Sequence, residues 1–303
     1  MTVLVTGGGG FLGSALCRTL VALGWAARAT ARVLPEGWRE SAIDWRCLDL
    51  AGAVDWPALV DGIDTVYHLA WSSIPATAAA APIQDLTVNV GGVIGLLEAA
   101  RSRPGIRIVF PSSGGTVYGR SERLPLRETD ATRPLNAYGV AKLTAETYLD
   151  LYRAGSGVNS IALRIANPFG FGQDPGKGLG AVTHFARAAL AGEPLVLFGD
   201  GSTVRDFVEI DDVVEAMILA GERRDVVGPL NIGTGSGRSL TDVIGLLERH
   251  FGRKLPVSVR PARPFDVQAC VLDVSAARER LGWNPRYGFE EALTRLLDKM
   301  AKA

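Results

Sequence analysis

The sequence contains few of the residues that hold metals or form disulfides. Its 303 residues include three cysteines, Cys17, Cys47 and Cys270, and three histidines. An odd number of widely spaced cysteines fits neither a disulfide framework nor a zinc motif. The scattered histidines form no recognisable metal motif, so no metal site is predicted. This cysteine usage is typical of a reducing compartment, and the cytoplasm is the expected location.

Net charge and long apolar runs are also missing. The 32 Lys and Arg residues balance the 32 Asp and Glu residues, so the chain has no overall field to attract nucleic acid or an anionic membrane surface. No apolar stretch is long enough to span a bilayer, and the chain begins with an apolar run that lacks a basic leader and a cleavage site. We therefore expect no targeting signal, no nucleic-acid partner and no membrane association.

The sequence does contain a regular alternation of short apolar runs and amphipathic segments. The apolar runs include TVLVT, AARATA, DTVYHLA, IRIVF and SIALRI. Continuous apolar runs of this length are typical of parallel strands that are covered on both faces by helices. We therefore predict an α/β fold, a Rossmann-type doubly wound parallel sheet, with a smaller C-terminal lobe that binds the substrate.

The alternation loosens after residue 166, where loops rich in glycine and proline such as NPFGFGQDPGKG begin. Residues 1–166 are predicted to form the dinucleotide-binding domain, joined by parts of 203–230, and residues 167–303 to form mainly the second lobe. Ligands of open parallel sheets bind at the carboxyl ends of the strands. The chemistry is therefore expected in the cleft between the two parts.

A glycine-rich turn follows the first apolar run and precedes an amphipathic segment. Gly7, Gly10 and Gly13 fit the pattern GxxGxxG, and Gly8 with the last two also fits GxGxxG. Glycines in such a turn let the backbone approach a pyrophosphate, whose charge is met by the N-terminal end of the helix. This arrangement predicts a nicotinamide dinucleotide as cofactor.

The residues that would bind the adenosine ribose leave the choice between NAD and NADP open. An NAD site carries a carboxylate about 20 residues after the glycine turn, where this chain has Ala31 and Arg32. The missing carboxylate removes repulsion of a 2′-phosphate, and Arg32 or Arg28 would pair with one. NADP therefore remains an alternative to NAD.

Further cofactor contacts are predicted at the ends of other apolar runs and in the helix after them. These residues are Asp49, Leu50, Leu69, Ala70 and Asn89. His68 lies within an apolar run, where a histidine is more often a core residue than a base or a ligand.

Tyr138 and Lys142 are four residues apart, which places both side chains on one face of a helix. A free tyrosine ionises near pH 10, so it acts as a base near neutrality only where a positive field stabilises its phenolate. Lys142 and an oxidised nicotinamide would supply that field. The alternative is an ordinary surface pair, because YxxxK alone is a frequent chance match.

Taken together, the motifs resemble those of the extended short-chain dehydrogenase/reductases, in the nucleotide-sugar epimerase and dehydratase family. The matching segments span almost the whole chain and include TGGGGFLG, HLA, NVGG, SSGGTVYG, YGVAK, RIANPFG, GDGSTVRDFVEIDDV, NIGTG and DVSAARERLGW. The resemblance implies NAD as cofactor and a UDP-sugar or another NDP-sugar as substrate.

The resemblance also implies roles for individual residues. Tyr138 resembles the family's base and Lys142 the lysine that binds the nicotinamide ribose. For the hydroxyl that contacts the sugar O4, the candidates are Ser113, Thr116 or a water beside Gly114. The implied cofactor contacts are Gly7, Gly10, Phe11, Leu12, Gly13, Arg32, Asp49, Leu50, Leu69, Ala70, Asn89, Ser112, Tyr138 and Lys142. The implied substrate contacts are Asn167, Arg205 and Arg263 at the diphosphate and Asp266 near the nucleoside ribose.

Two departures from the family pattern fall in SSGGTVYG. The hydroxyl residue normally stands three residues before the valine, where this chain has Gly114. Side-chain direction alternates along a strand, so neither Ser113 nor Thr116 is a free substitute, and the Ser112 hydroxyl is expected to face the protein. The Asp-Glu pair of the family's 4,6-dehydratases is replaced by Gly115 and Thr116, which removes the acid and base of that reaction.

We therefore expect a nucleotide-sugar epimerase, specifically a UDP-hexose 4-epimerase acting through a transient 4-keto intermediate, with hydride transfer to and from a bound nicotinamide. The first alternative is an NADP-dependent reductase of an NDP-4-keto-deoxysugar. Lower alternatives are a 4,6-dehydratase and a non-catalytic dinucleotide-binding sensor, the latter motivated by Gly114. The resemblance also implies a homodimer formed through the helices near residues 85–101 and 138–153.

Overall fold

Within residues 1–34, 42–174, 180–262 and 267–302, which the computed structural model describes, the chain forms thirteen strands and twelve α-helices. The strands are β1 (Thr2–Thr6), β2 (Ala26–Ala31), β3 (Ile43–Cys47), β4 (Thr65–His68), β5 (Arg107–Ser113), β6 (Asn159–Ile165), β7 (Asn167–Phe169), β8 (Leu195–Phe198), β9 (Val204–Glu209), β10 (Gly228–Ile232), β11 (Gly237–Ser239), β12 (Val257–Arg260) and β13 (Ala269–Cys270). The helices are α1 (Phe11–Ala22), α2 (Trp56–Val60), α3 (Pro75–Ala80), α4 (Pro82–Asp85), α5 (Gly91–Arg101), α6 (Gly114–Val117), α7 (Ala137–Ser156), α8 (Ala181–Ala191), α9 (Ile210–Glu222), α10 (Leu240–Phe251), α11 (Ser275–Leu281) and α12 (Phe289–Ala301).

Seven of these strands form one parallel sheet in the order β10-β6-β5-β4-β1-β2-β3. The predicted doubly wound Rossmann-type sheet is thereby confirmed. The chain runs outward from β1 to β3 and then returns beside β1 to build the other half from β4. The crevice at such a reversal point lies outside the carboxyl ends of the strands and is where this fold binds ligands. The glycine turn follows β1 at that crevice.

Helices cover both faces of the sheet because each has one apolar side. On one face α1, α9 and α11 bury Leu16, Met217 and Leu281 against the strands. On the other face α2, α5 and α7 bury side chains such as Leu97 and Leu149. The strands between them are buried on both sides, which explains their continuous apolar sequences.

The helix predicted to begin near Asp85 contains a wider turn. Helix α4 continues into a π-helical turn, Leu86–Val90, and then into α5. Such π turns occur frequently at functional sites, because they change the direction in which side chains leave the helix. Here the turn contains Asn89, one of the predicted cofactor contacts, and directly follows Asp85.

The C-terminal half builds a second core and also completes the first sheet. Strand β9 pairs with β7, β11 and β13 in a four-stranded sheet, and β8 pairs with β12. Helices α8, α10 and α12 close a separate apolar cluster around Phe185, Leu247 and Leu293. Strand β10 instead joins the large sheet beside β6. Across the described ranges, none of the helices is both long and apolar enough to cross a bilayer.

Candidate active site

The glycine turn after β1 leaves no room for side chains. Gly7 has a φ of +70°, and a Cβ atom there would lie 2.8 Å from the backbone nitrogen of Ala70. A Cβ atom on Gly13 would lie 2.1 Å from the carbonyl oxygen of Gly7. Gly10 caps α1 without a side-chain hydrogen bond, and the first amides of a helix have no acceptor within it. The turn therefore fits a dinucleotide pyrophosphate.

The other predicted contacts at the glycine turn occupy the surrounding backbone. Phe11 and Leu12 lie in the first turn of α1, and Leu69 and Ala70 directly follow β4. The Ala70 amide donates to Thr6 Oγ1 at 3.1 Å, which fixes the end of β4 beside the turn. His68 is buried, and its Nδ1 lies 3.0 Å from Thr6 Oγ1, as expected of a core histidine.

The adenosine end of the predicted cofactor site carries one exposed arginine. Ala31 ends β2 and is buried, whereas the Arg32 side chain is exposed. Arg28 is already engaged, because its Nε lies 3.1 Å from Asp44 Oδ2 and its Nη1 donates to Leu59 O at 2.8 Å. Arg28 would therefore have to break these contacts to bind a 2′-phosphate.

Asp49 and Leu50 follow the carboxyl end of β3, at the same edge of the sheet as the glycine turn. The Asp49 carboxylate accepts a hydrogen bond from Ala51 N at 3.0 Å. The Leu50 side chain lies against α5, where a Cβ atom on Gly92 would be 3.0 Å from Leu50 Cδ2. A role for either residue in binding the cofactor stays a prediction.

Tyr138 and Lys142 lie in the first turns of α7. The helix begins at the Asn136 cap, whose side chain accepts from Gly139 N at 2.8 Å. The Lys142 ammonium donates to the Pro111 carbonyl oxygen at 2.8 Å, at the end of β5. Its nitrogen lies 5.7 Å from the centre of the Tyr138 ring. The pair is therefore held against the strand that ends in SSGGTVYG.

Burial opposes the charges that this pair needs. It lowers the pKa of Lys142 to about 7, although the nearby Asp85 and Glu146 carboxylates act in the opposite direction. Burial also raises the pKa of Tyr138, and the negative charge of Asp85 raises it further. A tyrosine in this position becomes a base only beside a positive charge. Lys142 is placed to supply one.

Trp71 completes an aromatic wall around the lysine, and the sequence motifs did not indicate it. Its ring centre lies 3.7 Å from the Lys142 nitrogen, the distance of a cation–π contact. The ring also packs against Phe110 and Tyr138 at centroid distances of 5.8 and 6.1 Å. The only signal in the sequence is its position directly after HLA.

The first serine and the tyrosine of SSGGTVYG face the interior. Ser112 Oγ donates to the buried Glu146 carboxylate, which Arg164 binds through Nε and Nη2 at 2.8 to 3.2 Å. Tyr118 Oη donates to Asn231 Oδ1 at 2.7 Å and accepts from Arg164 Nη1 at 3.0 Å. The Ser112 hydroxyl therefore points into the protein interior. The cofactor contact predicted for Ser112 would have to be made by its backbone.

Neighbouring side chains explain the glycine at position 114. A Cβ atom on Gly114 would lie 2.5 Å from Leu272 Cδ1 and 2.9 Å from the Arg164 carbonyl oxygen. A serine or threonine does not fit there without movement of both neighbours. Ser113 is half-buried and makes no side-chain hydrogen bond with another described residue, whereas Thr116 Oγ1 is fully buried and also lacks a described partner.

Two of the predicted substrate residues, Asn167 and Arg205, lie on strands β7 and β9 of the four-stranded sheet. Asn167 donates from Nδ2 to Asp206 O at 3.1 Å, and a Cβ atom on Gly115 would lie 3.8 Å from its Oδ1. Arg205 Nη1 donates to the carbonyl oxygens of Val204 and Val267 at 2.9 and 2.8 Å. Arg263 and Asp266 lie outside the described residues.

Known proteins resemble this chain over its whole length. Residues 3–233 match the NAD dependent epimerase/dehydratase family. A UDP-glucose 4-epimerase of Mycolicibacterium smegmatis is 32% identical over 307 residues, which cover 98% of both chains. The solved structure of the Thermotoga maritima UDP-glucose 4-epimerase with UDP-glucose has a TM-score of 0.92 at 32% identity, covering 100% of this chain and 99% of that one. The Thermus thermophilus UDP-glucose 4-epimerase in complex with NAD has a TM-score of 0.91 at 31% identity, covering 100% of both.

Proposed function

This chain belongs to the NAD-dependent epimerase/dehydratase family, and we propose that it is a UDP-hexose 4-epimerase. The observation that carries the proposal is the pair of half-buried Tyr138 and buried Lys142 at the end of β5, in a fold whose glycine turn fits a dinucleotide. The relative and the two solved structures described above are UDP-glucose 4-epimerases. The missing acid–base pair at Gly115 and Thr116 disfavours a dehydratase.

NAD is the cofactor of this family. The glycine turn, the first turn of α1 and Leu69 with Ala70 would hold its pyrophosphate, and Lys142 its nicotinamide ribose. A dinucleotide bound there would supply the hydride-transfer chemistry of the reaction. Because Ala31 stands where a carboxylate would repel a 2′-phosphate, the experiment below also tests whether the bound cofactor is NADP.

The chain's own residues would handle the proton and the orientation of the sugar. Tyr138 takes the proton from the sugar O4 as a general base and returns it after the sugar has turned over. We assign the hydrogen bond to O4 to Ser113, since its hydroxyl is uncommitted among the described residues and Gly114 has no space for one. Lys142 stabilises the phenolate by its charge.

The second lobe would hold the nucleotide while the sugar moves. Asn167 and Arg205, together with Arg263 and Asp266, are proposed to bind the diphosphate and nucleoside. Arginine forks bind diphosphate oxygens tightly and leave the sugar ring free to rotate about the anchor. In this division residues 1–166, joined by parts of 203–230, bind the cofactor, and residues 167–303 mainly bind the sugar nucleotide.

The test begins with the purified protein and no added cofactor. The protein is denatured, and any released nicotinamide is identified by mass. Native protein is then incubated with UDP-glucose, UDP-galactose and their N-acetyl forms, and the sugars are followed by proton NMR. We expect released NAD and interconversion without net reduction, and loss of turnover in Tyr138→Phe. Failure to convert any of the four sugars would remove the UDP-hexose assignment.

The same experiment separates the alternatives. A reductase must exchange its cofactor in every turnover, so it would release no retained dinucleotide and would need added NADPH with a 4-keto sugar. A dinucleotide-binding sensor would retain cofactor but convert nothing, and Tyr138→Phe would have no effect.

We also propose that the protein is a cytoplasmic homodimer that pairs through the outer faces of α4, the π turn and α7. These faces expose four large apolar side chains, Ile83, Leu86, Val140 and Leu151. Exposed apolar patches of this kind are typical of interfaces. Light scattering should report a dimer, and Val140→Glu with Leu151→Glu should convert it to a monomer. Val259→Glu, on exposed β12, is the matched control and should leave the dimer intact.

A further inference from the structure

A second polar cluster, with a buried carboxyl group and a buried amide, begins directly after Trp71, whose ring lies 3.7 Å from the Lys142 nitrogen. We call it the Asp85 cluster, and it consists of Ser72, Ser73, Asp85 and Asn89. Asn89 Nδ2 donates to Asp85 Oδ1 at 2.8 Å, and Ser73 Oγ donates to the same oxygen. Asn89 Oδ1 accepts from the Ser72 amide and hydroxyl at 2.7 and 3.0 Å. The Asn89 amide, predicted to contact the cofactor, is thus already committed within the protein.

The Asp85 carboxyl group is buried, and one of its oxygens lacks a hydrogen bond. Its side chain is 4% exposed, and Oδ2 has no hydrogen-bond partner in the described part of the chain. Within the described ranges the carboxyl group's hydrogen-bond partners are Ser73 and Asn89, and it forms no salt bridge with a lysine, arginine or histidine. An isolated buried carboxylate is costly unless another charge offsets it.

The Lys142 ammonium, in turn, lacks a carboxylate partner among the described residues. Within the described ranges it is within 4.0 Å of no carboxylate, and its contacts are the Pro111 carbonyl and the rings of Trp71 and Phe110. A buried ammonium held only by a carbonyl and aromatic faces requires a negative charge nearby to remain protonated.

Two carboxylates act on this lysine through space, Asp85 and Glu146. Glu146 is neutralised by Arg164, which binds both of its oxygens at 2.8 to 3.2 Å. His68, on the neighbouring strand β4, is neutral because burial and the charge of Lys142 lower its pKa to about 3. Helix α3 contributes no titratable side chain. Asp85 is therefore the uncompensated anion beside the pair.

We propose that Asp85 is the counter-charge of Lys142: a positioning residue, held by Ser73 and Asn89, that favours the ammonium form of the active-site lysine without forming an ion pair with it. Separation matters, because a direct salt bridge would neutralise the field that Lys142 exerts on Tyr138. The proposal rests on the proposed function only in taking Tyr138 and Lys142 as the reacting pair.

The charge of Asp85 raises the pKa of Lys142 and also that of Tyr138. Removing it lowers both. Because the pKa of Tyr138 lies above that of Lys142, the form that has both the phenolate and the ammonium is a minor one, and its population is greatest between the two pKa values. Both limbs of the pH–rate profile therefore move to lower pH in Asp85→Asn. Loss of a purely structural contact would lower the rate without moving the limbs.

The decisive measurement uses the low lysine content of the chain. The sequence has five lysines, Lys142, Lys177, Lys254, Lys299 and Lys302, so protein grown with ¹³Cε-lysine gives five signals. The Lys142 signal is assigned by its absence in Lys142→Met and followed from pH 5 to 11. In Asp85→Asn its midpoint should fall by about one pH unit, the scale expected for one charge in a partly desolvated site.

Two matched variants separate charge from shape. Ser73→Ala removes a hydrogen bond to Asp85 but keeps the charge, so the Lys142 midpoint should stay within about 0.3 pH unit of the parent. The exchange Asp85→Asn with Asn89→Asp keeps a charge in the Asp85 cluster and should restore most of the shift. If Asp85→Asn fails to fold by circular dichroism, Asp85→Thr takes its place as a smaller neutral side chain.

An unchanged midpoint in folded Asp85→Asn would overturn the proposal, as would an equal shift in Ser73→Ala. The titration requires no substrate. If the parent protein converts no UDP-sugar but the midpoint still moves, the proposed function fails and the counter-charge stands. If turnover is present and the midpoint does not move, the counter-charge proposal fails and the proposed function stands.

Discussion

Leu272 fills the space that a side chain on Gly114 would occupy, since a Cβ atom there would lie 2.5 Å from Leu272 Cδ1. Leu272 is fully buried, follows β13 and packs in the apolar core of the large sheet, where it reaches the end of the strand that carries SSGGTVYG. The glycine is thus a packing requirement between the two halves of the chain. A side-chain hydroxyl that contacts the sugar, as proposed, would have to come from another position.

Gly114→Ser should therefore destabilise the protein without restoring any activity. We expect a loss of about 1–3 kcal/mol, the usual cost of overpacking a filled site, measured by urea unfolding. Gly115→Ser is the control, because a Cβ atom there meets its nearest neighbour at 3.8 Å. Equal stability of the two variants would show that Leu272 yields easily.

Ser113→Ala should lower kcat by about 100-fold, the usual effect of removing one hydrogen-bond donor to the reacting oxygen. Thr116→Val should change kcat less than about tenfold, since the Thr116 hydroxyl is buried. Steady-state rates with the converted sugar measure both. The opposite ranking would assign the contact with O4 to Thr116.

Glu146→Gln should cost about 3–5 kcal/mol in the free energy of unfolding, because it leaves Arg164 buried without its counter-charge. The double variant Glu146→Leu with Arg164→Met should recover most of this loss, since it removes both charges. Urea unfolding of the two variants tests the pair. A double variant less stable than Glu146→Gln would mean that Ser112 and Tyr118 depend on the charges themselves.

Lys142 should give the protein a characteristic dependence of stability on pH. Its pKa is about 7 in the folded protein against 10.5 for a free lysine. Between these values the unfolded chain binds a proton that the folded chain does not, so stability rises with pH across this window, by about 1.4 kcal/mol for each unit of pKa difference. Lys142→Met should abolish that rise. The midpoints of urea unfolding at pH 6.5 and pH 10 measure this rise. The same change in the parent protein and in Lys142→Met would count against a lowered pKa of Lys142.

Local features of the site were predictable from the sequence, and contacts between distant segments were not. The glycine turn and the spacing of Tyr138 and Lys142 depend on backbone geometry within a few residues, so pattern alone located them. The roles of Trp71 and Asp85 depend on burial against α7, which no local pattern encodes. The departure at Gly114 was visible in the sequence, but its cause, Leu272, is distant along the chain and becomes apparent only when the two segments meet.

The position of β10 at the edge of the large sheet also affects how the chain folds during translation. Strand β6 pairs on one side with β5 and on the other with β10, whose last residue is Ile232. While the ribosome is still synthesising the intervening segment, the nascent chain carries β6 as an unpaired edge, and such edges are sites of aggregation. The cofactor-binding sheet therefore cannot be completed during translation until much of the second lobe has emerged.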